Sequence, residues 1–552
     1  MNNSIEREVQ FLGNEFDRYY IFLILIIAGF FAFSTNIAVK VDDNFHEGEY
    51  LGLVWHMIDY YRGNTPFPVL IHGAMDYLPV LTAKYIYGDD CLIIGTRLIN
   101  TIIAFLVWIL FLDLCRMAVN IASGDHIVHV FYLVSFTFLV PRLYSDALAI
   151  QQNFLSVRDF FLILATWSLF RIHNNIRDQK PTILFIFICC LAVSVGLYWN
   201  YSRGIVGALM FFSFLLAFIM NRYYSPIWVS VFSIIICFLA LEIWGKAGPL
   251  SSNLENIFYW IKNSQEIWGT SIFSSTHTTL IFCFYLIFTV SITILTYISI
   301  FLGKKHDRYL YSLIISLVIA QAVLLKSASN RFTPNLFWPI WPYFLILLYL
   351  VPNIFPYFNK EKITGTSKLI SILSKAYYLI VTEVKKIMLY YPSNEFKKIS
   401  RFLFFVAFFS VFLAFLVSNN SIRYISFFKN AAFPHKDKVL VSKEISSVID
   451  NMDGVPCFFA WTNEGIIALM LKKPFCSRFT YAVYASRSYQ EEIIASLNKN
   501  NPKLILTGSA SVSVEFDDKP MSKRLPNVND FLEKNYKFKS QIYDYIISIK
   551  TK

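Results

Sequence analysis

Long apolar runs recur along most of this chain, and they restrict its fold more than any other feature of the sequence. A helix that crosses a bilayer needs about 20 mostly apolar residues. Hydrophobic residues make up 56% of the chain and charged residues only 16%, whereas a soluble protein carries about 25% charged residues. The sequence therefore predicts an all-α polytopic membrane protein. The candidate spans, about eleven in number, are 20–38, 92–112, 126–140, 159–171, 181–199, 205–221, 226–244, 277–302, 309–325, 335–351 and 402–418.

The basic residues fall mainly in alternate loops between these spans. An excess of Lys and Arg in cytoplasmic loops is the usual asymmetry of membrane proteins. The sequence thus predicts a cytoplasmic N-terminus, an uncleaved signal anchor after Arg7 and Arg18, and a C-terminus on the outer side. The net charge of +12 belongs largely to the cytoplasmic loops and does not indicate nucleic-acid binding. The basic positions assigned to that side are Arg116, 171–180, Arg222, 304–308 and the loop 352–401.

The character of the sequence changes after residue 418, which divides the chain into a transmembrane domain, 1–418, and an outer domain, 419–552. Strands that alternate with helices favour a small α/β domain with a partly parallel sheet. We expect this domain to cover the membrane site or to bind a partner rather than to carry the chemistry. The predicted strands are 439–441, 457–460 and 504–506, and the predicted helices lie near 443–451, 463–471 and 488–498.

Cysteine usage agrees with this division. Most of the 8 cysteines lie in or beside predicted spans, where they pack as small hydrophobic side chains. Cys457 and Cys476 lie in the outer domain. An isolated pair in an oxidising compartment predicts a disulfide, with two buried thiols as the alternative.

The first outer loop, 39–90, begins with a cluster of four carboxylates, Asp42, Asp43, Glu47 and Glu49. Ionised groups at the edge of a bilayer must face water, a cation or a partner. Carboxylates are also common general bases for weak nucleophiles. The cluster therefore indicates either a membrane enzyme or a solvated loop at a helix end, and the other outer loops favour the enzyme.

Those other outer loops place cations near the same membrane boundary. Arginine binds a phosphate through two parallel hydrogen bonds. Several arginines on the same side as an acidic cluster predict an anionic ligand, such as a lipid-linked phosphate, beside a group that activates an acceptor. The candidate substrate-binding residues of these loops are Arg142, Asp146, Arg203 and Arg331.

The stretch 45–52, FHEGEYLG, is similar to the Phe-Asp-Glu-x-His-Phe-Gly motif of the protein O-mannosyltransferases. With the bacterial aminoarabinose transferases, those enzymes belong to the C-type (GT-C) integral-membrane glycosyltransferases. The layout of spans, acidic first outer loop and soluble domain after the last span resembles the same group. His46 and Glu47 stand where the family has Asp-Glu, and Asp42 and Asp43 are displaced upstream.

This resemblance implies a sugar donor linked to a polyprenyl phosphate and an active site on the outer side of the membrane. Asp43 or Glu47 would deprotonate or position the acceptor hydroxyl, while the outer-loop arginines would stabilise the departing phosphate. Asp42, His46 and Glu49 would bind substrate. Arginine stabilisation of the leaving group makes a metal optional, with Asp42 and Glu49 as oxygen ligands for Mg²⁺ or Mn²⁺.

Two other functions stay open. A transporter or flippase of a lipid-linked or anionic solute would carry charges along a route through the membrane, whereas most charges here lie at span ends. A polymerase or ligase of cell-surface polysaccharide would use a large outer loop between late spans, whereas the large outer segment here is C-terminal. The expected partners are the donor, membrane lipids and a lipid, glycan or protein acceptor. The resemblance implies a bacterial inner membrane as the location.

Overall fold

The structure is a computed structural model in which most of the described chain is helical. The residues that it describes are 40–41, 44–121, 156–268, single residues between 279 and 294, 308–329, 341–342, 345–346, 428–461, 464–508, 515–516, 519–543 and 545–551.

The larger part of the described chain is built from helices only. Four of them contain a segment long and apolar enough to cross a membrane, and Ile183–Trp199 is a shorter apolar helix. Those four segments are Leu92–Ala118, Tyr201–Met220, Ser225–Trp244 and Arg308–Leu325. The helices are Asn44–Leu51, Val54–Tyr61, Leu78–Tyr87, Leu92–Ile121, Phe160–Arg177, Ile183–Trp199, Tyr201–Met220, Ser225–Trp244, Leu250–Trp268 and Arg308–Ser329.

Six predicted spans coincide with observed helices: 92–112, 159–171, 181–199, 205–221, 226–244 and 309–325. The predicted spans 20–38, 126–140 and 402–418 lie outside the described residues, as do most of 277–302 and 335–351. The total of about eleven spans therefore stays a prediction.

These helices pack around an apolar core and leave further apolar side chains on the outside. The core includes Trp108, Phe170 and Phe214. On the helix Ser225–Trp244, large side chains such as Trp228 and Phe232 are exposed. Apolar surface of this extent is unusual on a soluble protein and suits contact with lipid.

The two ends of the bundle differ in the charged residues that they carry. At one end, Asp113 accepts hydrogen bonds from Arg116, Arg171 and Trp167. This basic end also carries Arg177, Lys180, Arg222 and Arg308. The opposite end, called the loop end here, carries the first outer loop, the segment 156–159, the turn 198–203 and residues 428–551. The residues predicted to be cytoplasmic thus lie together wherever they are described.

The C-terminal segment combines short helices with a small sheet. Strands β1 Leu504–Gly508, β5 Tyr545–Lys550 and β4 Tyr536–Ile542 form an antiparallel sheet in the order β1–β5–β4, and β2 Glu515–Phe516 pairs with β3 Lys519–Pro520. The helices are Asp437–Leu440, Lys443–Asn451, Gly465–Leu471, Gln490–Asn500, Met521–Arg524 and Pro526–Asn535.

The secondary structure predicted for this segment is partly right. The helices near 443–451, 463–471 and 488–498 and the strand at 504–506 are confirmed. The strand at 439–441 is wrong, because this stretch ends a short helix whose Leu440 carbonyl accepts a hydrogen bond from the Val41 amide. The predicted strand 457–460 appears as isolated parallel bridges at Phe458 and Ala460.

The partly parallel sheet is confirmed in part, because Ala460 pairs in parallel with Leu506 of β1, whereas the three named strands β1, β5 and β4 pair antiparallel. The antiparallel sheet depends on the hairpin 536–550, which the sequence analysis did not predict. Its turn contains Tyr543 at φ 50° instead of the glycine or asparagine that usually signals a tight turn.

One hydrophobic cluster joins the C-terminal segment to the loop end of the bundle. It contains Leu51 and Leu70 of the first outer loop, Ile257 of the helix Leu250–Trp268, and Phe458 and Tyr481 of the C-terminal segment. The first outer loop and the C-terminal segment therefore share a core and lie on the same side of the spans. The predicted boundary between 418 and 419 lies outside the described residues.

Candidate active site

The helix Asn44–Leu51, called the acidic helix here, contains most of the stretch 45–52 and forms one part of the candidate site. Glu47 lies 2% exposed and forms a bidentate ion pair with Arg97 of the helix Leu92–Ile121. Arg97 Nε donates to Glu47 Oε1 at 2.7 Å, and Arg97 Nη2 donates to Oε2 at 2.9 Å. These contacts are those of a structural ion pair that anchors the acidic helix, and a catalytic role for Glu47 stays a prediction.

The next two residues of the acidic helix contact the C-terminal segment. A Cβ added to Gly48 would lie 2.8 Å from the backbone nitrogen of Gly465, so the two backbones touch. The Tyr481 hydroxyl donates to the Gly48 carbonyl at 2.9 Å, and the buried Glu49 carboxylate accepts a hydrogen bond from the Tyr484 hydroxyl. The C-terminal segment therefore forms one wall of the candidate site.

Tyr50 turns toward the other outer loops. Its hydroxyl accepts a hydrogen bond from Arg158 Nη2 at 2.5 Å. Its ring stacks on that of His72, with ring centroids 5.5 Å apart and planes 13° apart. Burial raises the pKa of the Tyr50 hydroxyl, so this group acts as a neutral hydrogen-bonding group.

His72 and Asp76 form a hydrogen-bonded pair within the first outer loop. His72 Nδ1 lies 2.8 Å from Asp76 Oδ1, and the His72 backbone amide donates to Oδ2 at 2.8 Å. The Asp76 side chain is fully buried, whereas 16% of the His72 side chain remains exposed. Burial lowers the pKa of His72, the neighbouring Arg158 lowers it further, and Asp76 opposes both effects. The ring is therefore neutral at pH 7.

Arg203 lies in the first turn of the helix Tyr201–Met220 and is 3% exposed. Its Nε donates to Asp159 Oδ1 at 2.7 Å. The other Asp159 oxygen accepts a hydrogen bond from the Ser156 backbone amide at 3.0 Å. This contact belongs to a capping box at the start of the short 3-10 helix Val157–Asp159, which leads into the helix Phe160–Arg177. Asp159 thus joins the segment 156–159 to the turn 198–203 and orients the Arg203 guanidinium.

Hydrogen bonds to backbone carbonyls and one close backbone approach hold these loops together. The Tyr201 amide donates to the His72 carbonyl at 2.7 Å, and Trp199 Nε1 donates to the Val157 carbonyl at 3.0 Å. Gly73, at φ 132°, lies so close to residues 198–199 that a Cβ there would be 2.4 Å from the backbone carbonyl oxygen of Tyr198. The first outer loop, the segment 156–159 and the turn 198–203 therefore meet at one place.

The helix Leu250–Trp268 and the segment around Asp437 enclose this arrangement. The Tyr259 hydroxyl donates to the Tyr484 carbonyl at 2.7 Å, and Trp260 Nε1 donates to the Leu70 carbonyl at 2.6 Å. Asp437 caps the helix Leu92–Ile121, because its carboxylate accepts hydrogen bonds from the backbone amides of Leu92 and Ile93, both at 3.0 Å. Burial raises the pKa of this carboxyl to about 7.

Several predicted site residues are not placed by these contacts. The His46 backbone lies in the acidic helix, but its side chain falls outside the described part. Of the predicted residues that are described, Glu47, Glu49 and Arg203 all lie at the loop end. Asp42, Asp43, Arg142, Asp146 and Arg331 lie outside the described residues.

The structure adds residues that the sequence prediction did not select. His72, Asp76 and Arg158 belong to the same cluster as Glu49 and Tyr50. The four-residue spacing of His72 and Asp76 was an available signal, although it is too common to be specific. The sequence carried a stronger signal for Arg97, because a charged side chain inside an apolar helix requires a partner.

No group of three or more His, Cys, Asp or Glu residues that could hold a metal ion occurs in the described ranges. Glu49 accepts a hydrogen bond from Tyr484, and the other predicted metal ligand, Asp42, is outside those ranges. Cys457 and Cys476 form a disulfide with their Cα atoms 5.0 Å apart, which joins the two segments that also pair at Phe458 and Phe475.

No family model matches this chain, and no curated protein matches it. Solved structures of two membrane enzymes are similar at low identity. ArnT from Cupriavidus metallidurans, bound to undecaprenyl phosphate, matches 96% of this chain and 97% of its own, with 11% identity and a TM-score of 0.41.

The second enzyme is the oligosaccharyltransferase AglB from Archaeoglobus fulgidus. Its complex with an inhibitory peptide and a dolichol-phosphate matches 97% of this chain and 75% of its own, with 11% identity and a TM-score of 0.46. Its complex with Zn and sulfate matches 96% and 73%, with 10% identity and a TM-score of 0.42. ArnT and AglB are both GT-C glycosyltransferases, the group that the stretch 45–52 resembles.

Proposed function

We propose that this protein is a membrane glycosyltransferase that moves a sugar from a polyprenyl-phosphate donor to an acceptor at the outer side of the membrane. One observation carries the proposal. Arg158 and Arg203, from two different loops, lie beside the first outer loop with its Glu49, His72 and Asp76, at the ends of helices with lipid-facing surfaces. Cations next to hydrogen-bond acceptors are the groups needed to release a phosphate and activate a hydroxyl.

In this proposal the polyprenyl tail lies among the spans of the domain 1–418 and its phosphate lies at the loop end. Arg158 and Arg203 donate hydrogen bonds to the phosphate and stabilise the charge that develops as the sugar departs. Arg142 and Arg331 are proposed to join them. Asp42, His46, Glu49 and Asp146 are proposed to bind the sugar or the acceptor, and Asp43 or Glu47 to position the acceptor hydroxyl for attack.

The distribution of charge favours transfer over transport. Among the described helices, the buried charged side chains lie near the loop end or, as with Asp113, near the basic end. The apolar cluster around Trp108, Phe111 and Leu162 separates the two groups. A transporter would carry charged side chains along that route. The outer domain, 419–552, is proposed to complete the site, and a bacterial inner membrane is the proposed location.

The test uses the full chain in vesicles of phosphatidylethanolamine and phosphatidylglycerol. A panel of radiolabelled undecaprenyl-phosphate monosaccharides serves as donors, and a cell-envelope extract supplies acceptors. We expect one donor to lose its sugar to the extract with release of undecaprenyl phosphate. Arg158→Met should reduce this turnover about 10²-fold or more, as loss of a charge-stabilising donor does.

The same assay tests Asp43→Asn and Glu47→Gln, and Arg177→Met at the basic end is the matched control. If Arg158→Met turned the donor over at the wild-type rate, the proposal that Arg158 binds the phosphate would be wrong. A wild-type protein that cleaves none of the donors, or that moves intact donor across the bilayer, would refute the transferase.

A further inference from the structure

His72 stands out among the residues of the site because only one of its ring nitrogens has a partner. Nδ1 faces Asp76 Oδ1 at 2.8 Å. Among the described residues, Nε2 has no hydrogen-bond partner, and 16% of the His72 side chain is exposed. The stacked Tyr50 ring and the hydrogen bond to Asp76 fix the plane of the imidazole. This nitrogen is therefore held in place on a side chain that is partly exposed.

The surroundings of Asp76 determine which nitrogen carries the proton. One carboxylate oxygen already accepts from the His72 backbone amide, and the other faces Nδ1. An ionised carboxylate can only accept hydrogen bonds, so the neutral ring carries its proton on Nδ1. Nε2 is then a lone-pair acceptor, as in other carboxylate-oriented histidines that remove protons.

We propose that His72 is the general base of the transfer and that Asp76 is its positioning residue; this inference rests on the proposed glycosyltransferase function. The acceptor hydroxyl gives its proton to Nε2 as its oxygen forms a bond to the anomeric carbon. The bond from that carbon to the phosphate oxygen breaks, and its electron pair leaves with the polyprenyl phosphate. The imidazolium then passes the proton to water.

The charges around the ring suit this role. Asp76 lies on the same loop, Tyr50 lies on the acidic helix, and Arg158 and Arg203 approach from the other two loops. Burial and the two arginines keep the imidazole in its neutral form, which is the form that accepts a proton. The proposed function places the phosphate at these arginines, so proton removal and leaving-group stabilisation would occur in one cluster.

The experiment compares His72→Asn with wild type in the vesicle assay across pH 5 to 8. Asparagine keeps an N–H near the position of Nδ1–H and thus the bond to Asp76, but it lacks a base. Because general-base catalysis contributes about 10²–10⁴-fold, we expect a loss of at least about 100-fold. The wild-type rate should fall as His72 becomes protonated below its lowered pKa, and this acid limb should vanish in the variant.

Two further variants separate the base from a structural role. Added imidazole should restore part of the turnover of His72→Gly, because the missing ring leaves space for it. Asp76→Asn should retain an acid limb but shift its midpoint, since it changes the orientation and pKa of the base without removing it. His435→Gln, at an exposed histidine, is the matched control and should change neither rate nor pH profile.

The outcomes distinguish the two proposals. If wild type transfers sugar and His72→Asn does so at an equal rate with the same acid limb, the base is not His72 and the transferase still stands. If Asp43→Asn abolishes the limb while His72→Asn keeps it, Asp43 is the base. If wild type transfers no sugar from any donor, the transferase and the role of His72 fall together.

Discussion

At the scale of single residues, Glu47 and Glu49 show how one short helix serves two purposes. Residues two apart on a helix do not face each other. Glu47 therefore reaches Arg97 in the bundle, whereas Glu49 reaches Tyr484 of the C-terminal segment. The acidic cluster that looked uniform in the sequence is divided between an anchor and a candidate substrate contact.

The Glu47–Arg97 pair should contribute strongly to stability. Glu47→Ala removes both charge-assisted hydrogen bonds to a guanidinium that is only 1% exposed. Breaking a buried pair by removing one partner costs about 3–5 kcal/mol. We expect a clearly lower thermal unfolding midpoint in detergent, partly recovered in the double variant Glu47→Ala/Arg97→Met. The exposed pair Arg177–Asp178 is the control, and a loss in Arg177→Ala as large as in Glu47→Ala would contradict the prediction.

His56 should make the protein sensitive to acid. Its ring is fully buried, Nε2 lies 3.1 Å from the Pro66 carbonyl, and burial lowers its pKa to about 4. Between pH 6.5 and about 4, the unfolded chain binds a proton at this histidine and the folded chain does not. Stability is therefore lost as the pH falls through that window, by up to about 1.4 kcal/mol per pH unit.

The measurement is denaturant unfolding between pH 7 and 4.5. His56→Gln should flatten the dependence, and His435→Gln should leave it unchanged. Asp437 contributes with the opposite sign, because its raised pKa of about 7 stabilises the fold at low pH and loses that effect as the pH rises through about 7. An unchanged slope in His56→Gln would show that folding does not lower the pKa of this ring.

At the scale of elements, the acidic helix has only eight residues, which is too short for stability on its own. Tertiary contacts must hold it. Gly48 and Gly465 allow it to touch the helix Gly465–Leu471 through the backbone, and Tyr481 donates to the Gly48 carbonyl. The position of the candidate site thus depends on an element more than 400 residues away in the sequence.

Gly465→Ala should displace the acidic helix. The added Cβ would lie 2.1 Å from the Gly48 carbonyl oxygen, and a backbone atom cannot move aside as a flexible side chain can. Overpacking of this kind costs about 1–3 kcal/mol or more. We expect reduced sugar transfer together with a lower thermal midpoint. Gly207→Ala, where the nearest atom is at 3.8 Å, is the control and should be tolerated. Full transfer by Gly465→Ala would show that the contact does not position the site.

At the scale of the whole molecule, the bundle has a loop end with the candidate site and a basic end around Asp113, Arg116 and Arg171. Only the loop end carries the C-terminal segment. If the basic end is cytoplasmic, as the asymmetry of charge predicts, the site opens to the outer side. A donor with its phosphate at that surface then meets acceptors on the outer side of the membrane.

Cysteine labelling tests this orientation. In a background where Cys91 and Cys283 are serine, Lys534→Cys lies in the C-terminal segment and Lys180→Cys at the basic end, both at exposed positions. A membrane-impermeant maleimide should label Lys534→Cys in intact cells. It should label Lys180→Cys only after permeabilisation. The reverse pattern would place the candidate site in the cytoplasm and exclude the proposed outer acceptor.

The sequence was most informative where local pattern decides structure. The long apolar runs predicted the helices at 183–199, 201–220 and 225–244, because each residue there contributes to the same requirement for burial in lipid or core. The helix 443–451 followed from its own periodicity. The hairpin around Tyr543 was missed because it lacks a local turn signal, and the segment 439–441 was assigned wrongly because its backbone bonds to Val41, far away in the chain.

For the candidate site, the sequence alone determined which loops carry acids and which carry arginines, and that Arg203 lies at a span end. Only the tertiary structure decided that Glu47 pairs with Arg97 and that His72 stands with Arg158 beside Arg203. The physical reason is that residue type and hydropathy act locally, whereas an ion pair or a catalytic cluster depends on which distant segments pack together.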